Sequence, residues 1–174
     1  MRHFAFPFLL LSCTSVPLED PNEALLCDAC DGTCSLDSEE PTSAQHIEGG
    51  LDYDDPPPFG GDHDPCWAPW GVHVDEVADE NWVHNLEHGG IVILHNCEGC
   101  AEIAEIEQWS ETLPAGTILV SPYAALSTQF AAVSWGRRLL TDCGDTSGFQ
   151  IFYDAFVDQA PESVTVEPSA SCTE

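Results

Sequence analysis

Lysine is absent from this chain, and arginine occurs only as Arg2, Arg137 and Arg138. Against these stand 31 Asp and Glu residues among 174, a formal net charge of −28 at neutral pH. A nucleic acid or an anionic membrane surface would repel such a polypeptide, which argues against either as a partner. The imbalance favours solubility and cation binding, with most of the carboxylates forming a solvated coat. A long apolar run is also missing. The N-terminal one, residues 4–11, is too short to cross a bilayer as a helix. Behind Arg2 and His3 it reads as the core of a signal peptide over residues 1–12. It ends in Leu10-Leu11-Ser12-Cys13, which resembles the lipobox of bacterial lipoproteins, where the cysteine is lipidated and becomes the mature N-terminus. The alternative is an ordinary signal followed by a disulfide cysteine. The expected location is the cell envelope, periplasmic or outer-surface, with a membrane contact through a lipid on Cys13 alone. Internal repeats are absent.

Setting Cys13 aside leaves Cys27, Cys30, Cys34, Cys66, Cys97, Cys100, Cys143 and Cys172. An even number in an exported chain points to four disulfides, among about 105 possible pairings. Three of these cysteines are crowded into residues 27–34, so at least one must reach a distant partner, and Cys172 is a candidate. A cysteine-rich metal site is the competing reading.

Residues 13–44 are rich in Glu, Asp, Ser, Thr and Pro with few large apolar side chains, the composition of a lipid-anchored acidic tether. A globular domain is expected over residues 45–161 and a polar tail over 162–174. Residues 45–82 hold Pro56-Pro57-Pro58 and Gly60-Gly61 without periodicity. They also hold Trp67, Trp70 and Trp82, which are costly to leave in water. This segment reads as an ordered loop wrapping the domain. Beyond it, residues 91–95 form a continuous apolar run suited to a buried strand. Ile103, Ile106 and Trp109 recur at helical spacing over residues 101–113. Residues 117–121 give a second strand, and a third lies within 129–140. A second helix starts at Asp145 or Ser147, with Phe149, Phe152, Phe156 and Val157 on its apolar side, and closes by Pro161. The order β-α-β-β-α makes an α+β fold, a small sheet with two helices on one face.

The densest chemistry is in Val83-His84-Asn85-Leu86-Glu87-His88-Gly89-Gly90. His-x-x-Glu-His is the inverted zinc-peptidase signature. A helix here places His84, Glu87 and His88 on one face within a turn, and the two glycines stop it. With His63 and His46, the two helical histidines make a candidate set for zinc or copper: His46, His63, His84 and His88. Gly60-Gly61 lets the backbone before His63 fold close to an ion. Asp52, Asp62 and Asp64 are candidates to orient the rings. His3 goes with the signal, and His73 and His95 read as structural or surface residues. The bland alternative is that the histidines satisfy loop carbonyls.

Metal holding or transfer at the envelope is the expected function. In a second reading the chain is a zinc hydrolase, with His63 as third ligand and Glu87 as general base. Against this, Gly89-Gly90 ends the helix at once. In a third, Cys97-Glu98-Gly99-Cys100 lies between strand and helix as a thioredoxin site does. Glu98 and Glu102 oppose a thiolate there, and a structural disulfide is the simpler role. A purely structural surface lipoprotein is the remaining alternative. Arg137, following Trp135-Gly136, is a candidate for a buried pairing with Glu87 or Asp52.

Taken together, His46, Asp52-Tyr53, Pro56-Pro57-Pro58, residues 60–65, Trp67, Trp70-Gly71-Val72, residues 83–90, Ser121-Pro122-Tyr123 and Trp135-Gly136-Arg137-Arg138 resemble the domain-of-unknown-function 3105 family of exported bacterial proteins. The resemblance covers over half the chain in the right order. It implies export and carries no settled biochemical role. Two departures stand out: His73 where the family often has tyrosine, and the pair Cys97/Cys100, which looks particular to this chain.

Overall fold

The structure is a computed structural model that describes residues 25–27 and 30–162. The expected signal, Cys13, Cys172 and all of the tail but Glu162 lie outside the described residues. The elements run β1 (Cys34–Ser38), β2 (Gly71–Val72), α1 (Asp79–Glu87), β3 (Ile91–His95), α2 (Ala101–Ser110), β4 (Ile118–Pro122), β5 (Phe130–Ser134), β6 (Arg137–Thr141) and α3 (Thr146–Phe156). All six strands share one mixed sheet, in the order β1-β6-β5-β3-β4-β2. β3 and β4 are parallel, with α2 as the crossover between them. β5 is antiparallel to β3, β6 to β5 and β1 to β6, while β2 adds a short parallel edge to β4.

The continuous apolar strands are explained by burial on both faces. Ile91, Ile93, Ile118, Val120, Phe130 and Ala132 point to one side, where Ile106 of α2 and Phe149, Phe152 and Phe156 of α3 cover them. Val92, Leu94, Leu119, Ala131 and Val133 point to the other, under Trp82, Val83 and Leu86 of α1 and Trp135. The fold is α+β with the two expected helices on one face; α1 and the wrapping loop close the second face. Asp145 caps α3 by accepting from the Ser147 amide at 3.1 Å. The single strand expected within residues 129–140 is a hairpin, β5 and β6, turning at Trp135-Gly136. Among the described residues, no helix is long and apolar enough to cross a membrane.

Part of the segment read as a tether is built into the sheet. Residues 34–38 form the edge strand β1, paired along its length with β6. The composition is acidic, but Leu36 alternates inward and is buried. Three disulfides join described residues: Cys27–Cys34, Cys30–Cys143 and Cys97–Cys100. The crowded cysteine that reaches far is Cys30, and its partner is Cys143. Cys66 is disulfide-bonded as well.

The buried cation is Arg138, where Arg137 was expected. Arg138 donates from Nε and Nη2 to Asp37 Oδ2 at 2.9 and 2.7 Å, and from Nη2 to Asp55 Oδ2 at 2.8 Å. Its Nη1 donates to the carbonyls of Asp55 and Pro57 at 2.9 and 3.0 Å. All five guanidinium N–H donors are thereby used, and the group lies 4.9 Å from the Phe59 ring centroid. Arg137 instead faces the exposed Glu40 at 3.9 Å. The reason is strand alternation: Arg138 points to the face that the wrapping loop covers, while Arg137 points away from it.

Arg138→Lys replaces a five-donor fork by a point charge and leaves loop carbonyls without donors. The expected loss is about 1–3 kcal/mol, seen as a thermal midpoint lower by roughly 3–10 °C. An unchanged midpoint would show that this network does not hold strap, sheet and loop together.

Candidate metal centre

α1 delivers two of the candidate side chains. Asp79 and Glu80 in its first turn complement the helix dipole. Its other end closes as a Schellman motif: the Gly89 amide donates to the Leu86 carbonyl at 2.9 Å and the Gly90 amide to Asn85 at 3.0 Å. Gly89 has φ +80°, and a Cβ there would lie 2.8 Å from Asp158 Cα. Residues 82–90 are all buried. The helix therefore carries His84, Asn85 and Glu87, and its cap His88, into the interior.

The wrapping loop brings the other two. His46 and His63 form an isolated parallel bridge. The Ile47 amide donates to the His63 carbonyl at 2.8 Å, and the His63 amide donates to Gln45 at 3.0 Å. Gly60 and Gly61, at φ +137° and +114°, make the bend that returns the loop to this bridge. Asp62 ties the two strands of the loop, accepting from the Ser43 hydroxyl and from the Gln45 amide at 2.9 Å. Asn85 pins the loop to α1: its side chain accepts from the Ala68 amide at 3.0 Å and donates to the Ala68 carbonyl at 2.9 Å.

These contacts converge four donors. One ligand atom from each of His46, His63, His84 and Glu87 lies within 4.8 Å of the other three. Ring centroids of the three histidines are 4.7–4.9 Å apart. The His63 Nδ1 donates to the Gly61 carbonyl and the His84 Nδ1 to the Asp64 carbonyl, both at 2.8 Å. A carbonyl only accepts, so each Nδ1 carries a proton, and in the neutral ring each Nε2 keeps its lone pair. Glu87 Oε2 lies 3.0 Å from His63 Nε2 and 3.4 Å from His46 Nε2. Despite that approach, neither His63 Nε2 nor Glu87 Oε2 has a well-directed hydrogen bond, and both atoms are fully buried. Two inward-facing, buried atoms that can each offer a lone pair are what a cation between the donors would satisfy.

The electrostatics divide the cluster. Burial pushes His63 down, but the Glu87 carboxylate and the Gly61 carbonyl outweigh it and the ring is raised above its ordinary value. Burial would raise Glu87; contact with His63 and then His46 holds it below the usual carboxylate range. Burial dominates at His84 and, with the neighbouring imidazoles, pushes it down to about 4. Trp67 packs edge-on against His84 and His88 at 5.3 and 5.1 Å, and Trp135 against His63 at 6.1 Å. His46 is the open side of the cluster, its side chain 49% exposed.

His88 is outside this donor group. As C-cap of α1 it has left helical geometry, and its ring stacks on His84 at 5.0 Å with Nδ1 3.3 Å from Glu162 Oε2. The fourth position belongs to Glu87, which the motif suggested as a base, and Arg137 does not reach it. Backbone carbonyls orient the buried rings; the carboxylates of Asp62 and Asp64 organise the loop instead. Asp52 is exposed. His73 Nε2 meets the Pro69 carbonyl at 2.7 Å, and His95 ends β3 away from the cluster. The residue that sequence reasoning missed is Asn85, whose signal is a polar side chain within a helix turn flanked by Trp82, Val83 and Leu86.

A family model described as "Protein of unknown function (DUF3105)" matches residues 46–174, which include all four donors. No curated protein and no solved structure matches the chain.

In the metal-free protein, an NMR titration of the imidazole rings should find His84 neutral down to about pH 4 and His63 still protonated above its ordinary range. The signs are opposite because one ring is held by a carboxylate and the other is pushed down by burial and its neighbouring imidazoles. Coincident titration of the two would contradict this division.

Proposed function

We propose that this chain, which belongs to the DUF3105 family, holds one transition-metal ion, copper or zinc, through His46, His63, His84 and Glu87. The observation that carries the reading is the convergence of four donors from separate segments within 4.8 Å. With ligand bonds of about 2.0–2.1 Å, donors around a tetrahedral ion stand roughly 3.3 Å apart. The pairs His63–Glu87 and His46–Glu87, at 3.0 and 3.4 Å, already have that spacing. Three imidazoles and one carboxylate suit zinc or copper(II) better than the oxygen-preferring cations. The residues present fit such an ion, since the buried rings are pre-oriented by carbonyls and the acceptor atoms face inward.

Holding and transfer are favoured over hydrolysis. Glu87 is consumed as a ligand and is not left over as a base for bound water. The exposed His46 is the one ligand able to swing, which gives the ion a route in and out. The chain's net charge of −28 raises the local concentration of cations. Export to an oxidising envelope compartment, with a lipid at Cys13, belongs to the same proposal and is supported by the disulfides.

Metal analysis and calorimetry on the stripped full chain, reloaded with zinc(II) or copper(II), test the reading. About one equivalent per chain is expected. His63→Ala with His84→Ala should lower affinity by at least about 100-fold, and Glu87→Gln should weaken it too. His88→Gln should retain the stoichiometry. Equal, negligible metal in the wild type and the double variant would end the proposal. Full metal retention in Glu87→Gln would return that residue to the role of a base.

A further inference from the structure

The opposite end of the chemistry lies after β3. β3 and β4 are the parallel pair inside the sheet, and their carboxyl ends open on a common crevice. Ligands of sheets with parallel strands characteristically bind outside those ends. Here residues 95–99, from the end of β3 onward, and residues 122–124, from the end of β4 onward, with Glu76 and Ile103, line a cavity of about 330 Å³. Cys97 is part of that lining, and it is bonded to Cys100, the N-cap residue of α2.

This disulfide is poorly placed to be a staple. Its cysteines are three residues apart, whereas Cys30–Cys143 spans 113, and the constraint on an unfolded chain grows with the loop closed. The residues leading into it are held without it. The Asn96 amide donates to Gln129, its side-chain Nδ2 donates to Leu126, and the Tyr123 amide donates to His95, each at 2.8 Å. A short-loop disulfide exposed to a cavity at the head of a ten-residue helix has the features of an exchangeable bond.

We propose that Cys97 and Cys100 are a redox-active pair that oxidises a peptide dithiol bound in this crevice. A substrate thiolate attacks Cys97 Sγ, the sulfur of the cavity lining. The Cys97–Cys100 bond breaks and a mixed disulfide forms. Cys100 leaves as a thiolate at the start of α2, where the helix dipole favours it, and takes a proton from solvent. The second substrate thiolate then attacks the substrate sulfur of the mixed disulfide and expels Cys97, which is protonated in turn. The substrate loses two electrons and two protons to become a disulfide, and the pair gains both as two thiols. A low-molecular-weight disulfide such as oxidised glutathione restores the starting state by the reverse exchange.

The crevice also sets the charge of its substrate. Glu76 and Glu98 line it, and Glu102 lies in the first turn of α2. These carboxylates oppose a thiolate on an acidic peptide and attract a basic one, whose charge offsets their effect on the leaving Cys100.

Oxidised full-length protein is mixed with reduced Cys-x-x-Cys peptides flanked by arginine or by glutamate, and alkylated fractions are read by mass spectrometry. Cys97 and Cys100 should be reduced first, with Cys27–Cys34 and Cys30–Cys143 intact. The arginine peptide should react at least about tenfold faster at low salt. Cys100→Ser, in which Cys97 is a free thiol, should exchange with oxidised glutathione to accumulate a glutathione mixed disulfide at Cys97, releasing one glutathione thiol, with its fold checked by circular dichroism. If the wild-type pair is reduced only together with Cys30–Cys143, the bond is structural and the proposal fails, whatever the variant does. Equal rates for the two peptides would overturn the assigned substrate charge.

Discussion

α1 is buried over its whole later half while carrying His84, Asn85 and Glu87, with His88 at its cap, and that burden organises everything around it. Buried polar groups must find partners or destabilise the fold. The sheet directly beneath α1 presents Val92, Leu94, Leu119, Ala131 and Val133, so the partners come from the wrapping loop. The Asp64 carbonyl takes His84, the Ala68 backbone takes both ends of the Asn85 amide, and His63 and His46 approach Glu87. What looks like a long structureless connection is the half of the interior that complements a polar helix face.

That dependence explains the anchoring of the N-terminal segment. A loop of this length is entropically expensive to order, and it is fixed at several points. Arg138 joins β6 to Asp37 in β1 and to the carbonyls of Asp55 and Pro57, while its guanidinium faces Phe59. Cys30–Cys143 closes the same edge covalently. Glu39 donates its amide to Gly136, and Gly136 donates to Phe59, so strap, hairpin turn and loop are laced in sequence. The hairpin turn also presents Trp135 against His63. The His/Glu cluster thus rests on contacts that begin about 100 residues apart, at the pair Asp37–Arg138 (sequence separation 101).

The two faces of the sheet carry different tasks. Under α2 and α3 the packing is aromatic and aliphatic, and Trp109 and Thr117 find partners in α3, Gln150 and Tyr153. Under α1 the helix itself supplies His84 and Glu87 to the polar cluster. The crevice after β3 and β4 stands at the end of the sheet, where the crossover through α2 leaves loops instead of packed side chains. Each chemical group sits where the topology interrupts regular packing.

Periodicity alone set the order β-α-β-β-α: strands buried on both faces appear as unbroken apolar runs, and α2 and α3 display their apolar stripe at helical spacing. The spacing of His84 and Glu87, and the stop at Gly89-Gly90, were equally legible, because a helix relates neighbours by local geometry. β1 was not, since one buried leucine in an acidic segment is too little signal for an edge strand. The choice of Glu87 over His88 as the fourth donor, of Arg138 over Arg137 as the buried cation and of Cys143 as partner to Cys30 came only from tertiary structure. Each depends on which way a side chain faces once distant segments meet, and that is decided by long-range backbone hydrogen bonds and by burial, neither of which leaves a mark at a fixed spacing along the chain.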